Sequence, residues 1–136
     1  MRVALDTNVL VSAFTTRGLC ADLFQTLLAD HEPIVSETVL AELEAVLRDK
    51  FRHPAKAAAA RAAFLRQFCE QAPASPPVAL KGIDLADRTV IAEAIAAVAD
   101  ALVTGDQAIL ALQSVEKMPV LSPRQLWDAL RKGERR

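Results

Sequence analysis

Apolar residues recur along this chain in two rhythms. The first is the short unbroken run. Arg2-Val3-Ala4-Leu5, stopped by Asp6, reads as a buried strand, and Pro33-Ile34-Val35, Ala101 to Thr104 and Met118 to Leu121 read the same way. The second rhythm is helical. Leu19, Leu23, Leu27 and Leu28 predict a helix from Leu19 to Ala29. Val39, Leu40, Leu43, Val46, Leu47 and Phe51 form one apolar stripe, predicting an amphipathic helix from Glu37 to Phe51 with Ser36 as its N-cap. Pro54 stands near the start of an alanine-rich helix reaching about Gln71, which Pro73, Pro76 and Pro77 end. A further helix opens at Asp84 or Asp87 and runs to about Ala99. Gln107 to Gln113 reads as a short helix, and Ser122-Pro123 opens a last one from about Arg124 to Arg131. Strands alternating with helices imply an α/β domain with a mainly parallel sheet covered on both faces.

Composition narrows this picture. With 136 residues the chain fits one domain, expected over residues 1–132 with a basic tail over 133–136. The longest apolar runs are far too short to span a bilayer. The opening Met-Arg-Val-Ala-Leu-Asp is also too short for a secretory signal, so the expected location is the cytoplasm. Cys20 and Cys69 have no metal-binding spacing and read as small buried hydrophobes. The 16 basic and 17 acidic residues give a net charge of −1, so any nucleic-acid binding must rest on local patches.

The candidate chemistry lies in carboxylates. Asp6 and Asp106 each follow a buried-type strand, and in open parallel sheets ligands bind outside the carboxyl ends of strands. An Asp there can equally cap the next helix. Asp87 projects into the stripe expected from Val90, Ile91, Ala94, Ile95 and Val98, where a carboxylate is costly without a partner. Asp84 could cap that helix and leave Asp87 for a ligand. Glu42 and Glu44 flank the stripe of Val39, Leu43 and Val46 on opposite edges, and periodicity does not choose between them. His31 and His53 lie outside these segments. Oxygen donors without a suitably placed His or Cys point to a hard cation, Mg²⁺ or Mn²⁺. Such an ion suits phosphodiester hydrolysis, because it activates water and neutralises phosphoryl charge.

With these residues in view, the chain resembles the PIN-domain ribonucleases, a family that includes VapC-type toxins of bacterial toxin–antitoxin pairs. Ala4-Leu5-Asp6-Thr7-Asn8-Val9-Leu10 is similar to the family's opening Asp-Thr-Asn after a first strand. Ser36-Glu37-Thr38-Val39-Leu40-Ala41-Glu42-Leu43 places Glu42, rather than Glu44, on the family's second acid. Asp87 to Ala94 resembles the third acid and its helix, and Thr104-Gly105-Asp106 the fourth. Ser122-Pro123 resembles the ending of a toxin-associated subgroup. The resemblance implies a PIN-like three-layer α/β domain with strand order 3-2-1-4-5. It also implies metal-dependent RNA cleavage leaving a 5′-phosphate, with Asp6, Glu42, Asp87 and Asp106 as metal-binding catalytic acids. Asn8, Thr104, Ser36 and Asp84 become supporting groups. Two departures stand out. Asp84-Leu85-Ala86-Asp87 is less acidic than the subgroup's Asp-Pro-Asp-Asp, and Ala108 replaces a further acid, which bears on a second metal.

RNA contacts are expected from Arg17 and from the cluster of Arg48, Lys50, Arg52 and Lys56, beside His53. Arg131, Lys132, Arg135 and Arg136 read as a solvated tail. With one Trp, no Tyr and five Phe at mostly core-like positions, stacking on aromatics is not expected. A toxin needs restraint, so a small antitoxin is the expected partner, inserting a segment such as an arginine into the acidic pocket. The Leu- and Ala-rich helices also offer a face for a homodimer. The alternative function is a catalytically silent PIN-fold module that binds RNA or protein. A phosphatase with a nucleophilic Asp6 is disfavoured, because Asn8 stands where Asp-x-Asp chemistry needs its second acid.

Overall fold

The computed structural model describes residues 1–134, with Glu134 described through its backbone alone. Arg135 and Arg136 of the expected basic tail lie outside the described residues. The chain runs β1 (Arg2–Leu5), α1 (Thr7–Thr15), α2 (Leu19–Asp30), β2 (Glu32–Val35), α3 (Glu37–Asp49), α4 (Ala55–Phe68) and β3 (Glu70–Gln71). It continues through α5 (Leu85–Ala96), β4 (Ala101–Val103), α6 (Gln107–Leu110), β5 (Ser114–Val115), β6 (Met118–Leu121) and α7 (Pro123–Glu134).

The sheet order is β3-β2-β1-β4-β6-β5, parallel except where β5 meets β6. The expected α/β class and mainly parallel sheet are present. The expected order 3-2-1-4-5 needs one correction. The fifth parallel strand is β6, and a two-residue antiparallel β5 is added at its edge, where positive φ at Glu116 and Lys117 turns the chain back. β3 is a second departure. Glu70–Gln71 pairs beside β2, whereas the alanine pattern predicts helix to about Gln71. The helix stops at Phe68, and Ala72 N–H then donates to the Val35 carbonyl.

Strand alternation divides the core in two. Val3, Leu5, Val35 and Val103 face a cluster closed by Leu10, Leu23, Leu27, Leu40, Leu43, Leu65 and Leu126. Ala4, Ile34, Leu102 and Val120 face the other, closed by Ile91, Ala94, Ile109 and Met118. The central strands are therefore buried on both faces, as their unbroken apolar runs require. Three layers result, with α1, α2, α3, α4 and α7 against the first cluster. Helix α5 is two-faced, with Val90 in one cluster and Ile91 and Ala94 in the other. Val98, expected on its core stripe, lies past the helix end at φ +55° and is 74% exposed. Among the described residues no helix is long and apolar enough to cross a membrane.

One feature of the topology positions the site. From β1 the sheet grows outward through β2 and β3 on one side and through β4 and β6 on the other. The carboxyl ends of β1 and β4 flank this switch point, where such sheets leave a crevice. Leu5 pairs with Val103, so Asp6 and Thr104 emerge side by side.

Candidate metal centre

Asp6 is the deepest acid. It N-caps α1 and is only 3% exposed. Its Oδ1 accepts from the Thr7 backbone N–H at 2.9 Å. Its Oδ2 accepts from Thr104 Oγ1 at 2.7 Å and from Asn8 Nδ2 at 3.2 Å. Thr104 is fully buried, and its hydroxyl also accepts from Asn8 Nδ2 at 3.3 Å and from the Asp106 backbone N–H at 3.1 Å. Asn8 Oδ1 in turn accepts from the Gly105 N–H at 2.8 Å. A Cβ at Gly105 would stand 3.3 Å from that oxygen, so the residue is small because Asn8 needs the room. One hydroxyl thus ties the ends of β1 and β4 together.

Asp106 caps α6, its Oδ1 accepting from Ala108 N–H at 2.8 Å and Ile109 N–H at 3.2 Å. Asp84 caps α5 by accepting from the Asp87 N–H at 2.9 Å, and its carboxyl group also lies against that of Asp87. Of the two glutamates that periodicity could not separate, Glu42 faces the cleft and Glu44 lies toward Arg66 of α4. Asp6, Glu42, Asp84, Asp87 and Asp106 line one cavity of about 600 Å³ together with Asn8.

The electrostatics reflect this crowding. Burial raises the Asp6 carboxyl above its ordinary range, and the Asp106 charge adds to that, while Thr104, Thr7 and Asn8 pull it back. Glu42 is also raised, first by desolvation in the cleft and then by Asp6. Asp87 is pushed up to about 7 by partial burial and then by the charges of Asp6, Asp84 and Asp106. Asp6, Glu42 and Asp87 therefore hold protons more tightly than isolated acids do, and a cation would relieve the same repulsion.

The donor set fits a hard divalent ion in chemistry, since every acid offers oxygen and no thiol or imidazole lines the cavity. Among the described residues, no three His, Cys, Asp or Glu side chains stand at metal-ligand spacing as they are. The acids share a cavity without forming a closed shell. Buried Thr7 Oγ1 stands beside Glu42 and pulls its carboxyl back toward the ordinary range, while among the described residues it has no partner at full hydrogen-bond geometry.

Other expected site residues are placed differently. Thr104 and Asn8 support Asp6 directly, whereas Ser36 caps α3 through Val39 N–H at 3.2 Å and does not line the cavity. Lys50 lines it, but Arg17, Arg48, Arg52 and Lys56 do not, and Arg48 pairs with Asp49 at 3.2 Å. The reading from sequence missed Val11, Ser12, Thr15, Thr16, Val46 and Phe51, which complete the lining. Their signal is helical spacing from Asn8 along α1 and from Glu42 along α3, visible once α1 is drawn as a helix.

The PIN domain family model matches residues 2–108. Among solved structures, VapBC-1 from nontypeable Haemophilus influenzae aligns over 91% of this chain and 99% of its own, with TM-score 0.65 and 16% identity. VapBC2 from Rickettsia felis, bound to a promoter DNA fragment, aligns over 90% and 98%, with TM-score 0.63 and 16% identity. VapC20 of Mycobacterium tuberculosis, a sarcin–ricin-loop-cleaving toxin, aligns over 86% and 99%, with TM-score 0.60 and 19% identity. A search of curated proteins returns no match.

Thr104→Val removes the shared hydroxyl at nearly constant volume and leaves Asp6, Asn8 and Asp106 short of partners. Urea denaturation should show a loss of about 1–3 kcal/mol. Because the folded Asp87 carboxyl titrates near 7 against 3.8 in the unfolded chain, its proton stabilises the fold below about pH 4. That contribution is lost as pH rises through 7. Without divalent ions, Asp87→Asn should therefore melt higher than wild type at pH 8, and the gain should vanish at pH 4.

Proposed function

The chain belongs to the PIN-domain family, and on that premise we propose that it is a Mg²⁺- or Mn²⁺-dependent endoribonuclease, the toxin of a toxin–antitoxin pair. The observation that carries the reading is the shared cavity of Asp6, Glu42, Asp87 and Asp106 at the switch point of the sheet. These crowded acids, with Lys50 as the one basic side chain lining the cavity and about two helical turns from Glu42, suit a cation and the phosphate it attracts.

Asp6, Glu42, Asp87 and Asp106 would hold the ion. Once bound, it would supply an activated water and neutralise charge on the phosphodiester. The chain's own part is placement. Thr104 and Asn8 donate to Asp6 Oδ2, so that oxygen is fixed and Oδ1 is held by the Thr7 N–H. The Asp84 cap fixes the first turn of α5, and with it Asp87. Asp87, raised to about 7 by partial burial and by its neighbours' charges, would be held ionised by the same cation. Toxin function draws support from the fold shared with VapC20, itself a toxin, and with the two VapBC assemblies. An antitoxin guanidinium would compete for the same carboxylates by bidentate pairing. The silent binding module is the second reading, and no observation favours it over the first.

Asp6→Asn should lower RNA cleavage in Mn²⁺ by about 100-fold or more, on the scale of losing a charge-stabilising group. Equal cleavage by wild type and variant, assayed on structured and unstructured RNAs, would assign the activity to a contaminant. Expressed alone in bacteria, the wild type should arrest growth and Asp6→Asn should not. Harmless expression, with no small protein co-purifying from the native source, would remove the toxin assignment.

A further inference from the structure

The cavity does not end at the acids. It continues between α1 and α3, past Val11, Ser12 and Val46, to Thr15, Thr16, Lys50 and Phe51. Glu42 and Lys50 are eight residues apart on α3 and its cap, which is about 12 Å along a helix axis. A nucleic-acid strand advances about 3.4 Å per stacked residue, so this end lies several nucleotides from the acids. Phe51 belongs to the apolar stripe that predicts core burial, yet it sits two residues past the end of α3 and is 45% exposed. Among the described residues the paired aromatic rings are Phe14 with Phe24 and Phe64 with Phe68, and Phe51 stacks on none. Its backbone is held: Phe51 N–H donates to Val46 O at 3.4 Å, and His53 N–H to Leu47 O at 3.0 Å. Arg52 between them adopts φ +55°, a conformation that a non-glycine residue reaches only at a cost. Lys50 is the one basic side chain lining the cavity and forms no ion pair among the described residues.

We propose that this far end is a nucleotide subsite, where the base of one RNA residue stacks on the Phe51 ring and its phosphate meets Lys50. The proposal rests on the nuclease reading and adds the part of the substrate that the acids do not touch. A ring exposed beside a free ammonium group, in a cleft continuous with a phosphodiester site, matches what a single strand offers: a flat apolar base and an anionic backbone. Stacking tolerates any base, so the subsite would confer affinity for unpaired RNA rather than sequence choice. Thr15 and Thr16, at the end of the facing helix, spend their hydroxyl protons on Val11 O at 2.7 Å and Ser12 O at 2.8 Å, so toward a ribose hydroxyl they would act as acceptors.

The test compares two ligands in the Asp6→Asn background with Mg²⁺: dodecauridylate, and the same ribose–phosphate backbone lacking its bases. Base removal should weaken binding by about 5- to 150-fold, the range of one stacked base. Phe51→Ala should abolish that difference, and Phe51→Trp should keep it. Lys50→Gln should weaken both ligands alike and reduce the logarithmic salt slope by about 0.7, one phosphate contact on a single strand. A base effect that survives Phe51→Ala, or failure of both ligands to bind at millimolar concentration, overturns the subsite. Wild-type cleavage with Mn²⁺ is scored separately. Cleavage with a Phe51-independent base effect sinks the subsite and spares the nuclease; a Phe51-dependent base effect without cleavage does the reverse.

Discussion

Like-charged carboxyl groups repel, and this fold nevertheless gathers five of them around one cavity. The parallel pairing of β1 with β4 makes that possible. It brings Asp6 beside Thr104 in register, and the Thr104 hydroxyl serves Asp6, Asn8 and Asp106 at once. Backbone donors supply the rest: the Thr7 N–H at the head of α1, and the Ala108 and Ile109 N–H groups at the head of α6. These donors hold Asp6 and Asp106 in place without neutralising the cavity. Asp6, Glu42 and Asp87 hold protons more tightly than isolated acids, first because burial strips them of water and then because their neighbours are charged.

The same arrangement gives the cleft its polarity. α1 and α3 start at the carboxyl edge of the sheet, so the Asp6 cap of α1 and Glu42 in the second turn of α3 place the acids near that edge, and the last turns carry the cleft outward. Acid chemistry sits at one end and the Lys50–Phe51 pair at the other. A polyanion entering such a cleft meets a cation first and acids only where an ion could screen them. About two turns of helix therefore separate the acids from the Lys50–Phe51 pair.

Much of this is legible in the sequence. Unbroken apolar runs mark β1, β2 and β4 because both faces of each are buried, and mark β6 although Pro119 is exposed; periodicity marks α2, α3, α4 and α5. Asp6 and Asp106 were visible as acids closing such runs. Glu42 was not separable from Glu44 by pattern, since both edge the same stripe; only resemblance, and then the cleft, distinguished them. What stayed hidden depends on contacts distant in sequence. The two-residue strands β3 and β5 carry no pattern of their own and exist through their neighbours. Thr104 as the hub joining Asp6, Asn8 and Asp106 follows from pairing, not from spacing. Phe51 and Val98 continue helical stripes on paper, but each falls beyond its helix end, where periodicity no longer says which way a side chain points. The expected scarcity of exposed aromatics fails for that reason at Phe51, and Phe64 and Phe68 on the alanine-rich α4 are exposed as well.

On the proposed function, the gathered acids would hold divalent metal in their cavity. Anomalous diffraction from crystals soaked in Mn²⁺ tests it without reference to any substrate. A manganese peak in the cavity, about 2.0–2.3 Å from oxygens of Asp6 and at least one of Glu42, Asp87 or Asp106, is the result expected. A fully soaked crystal whose manganese binds elsewhere, leaving those carboxylates without an ion, would contradict the account.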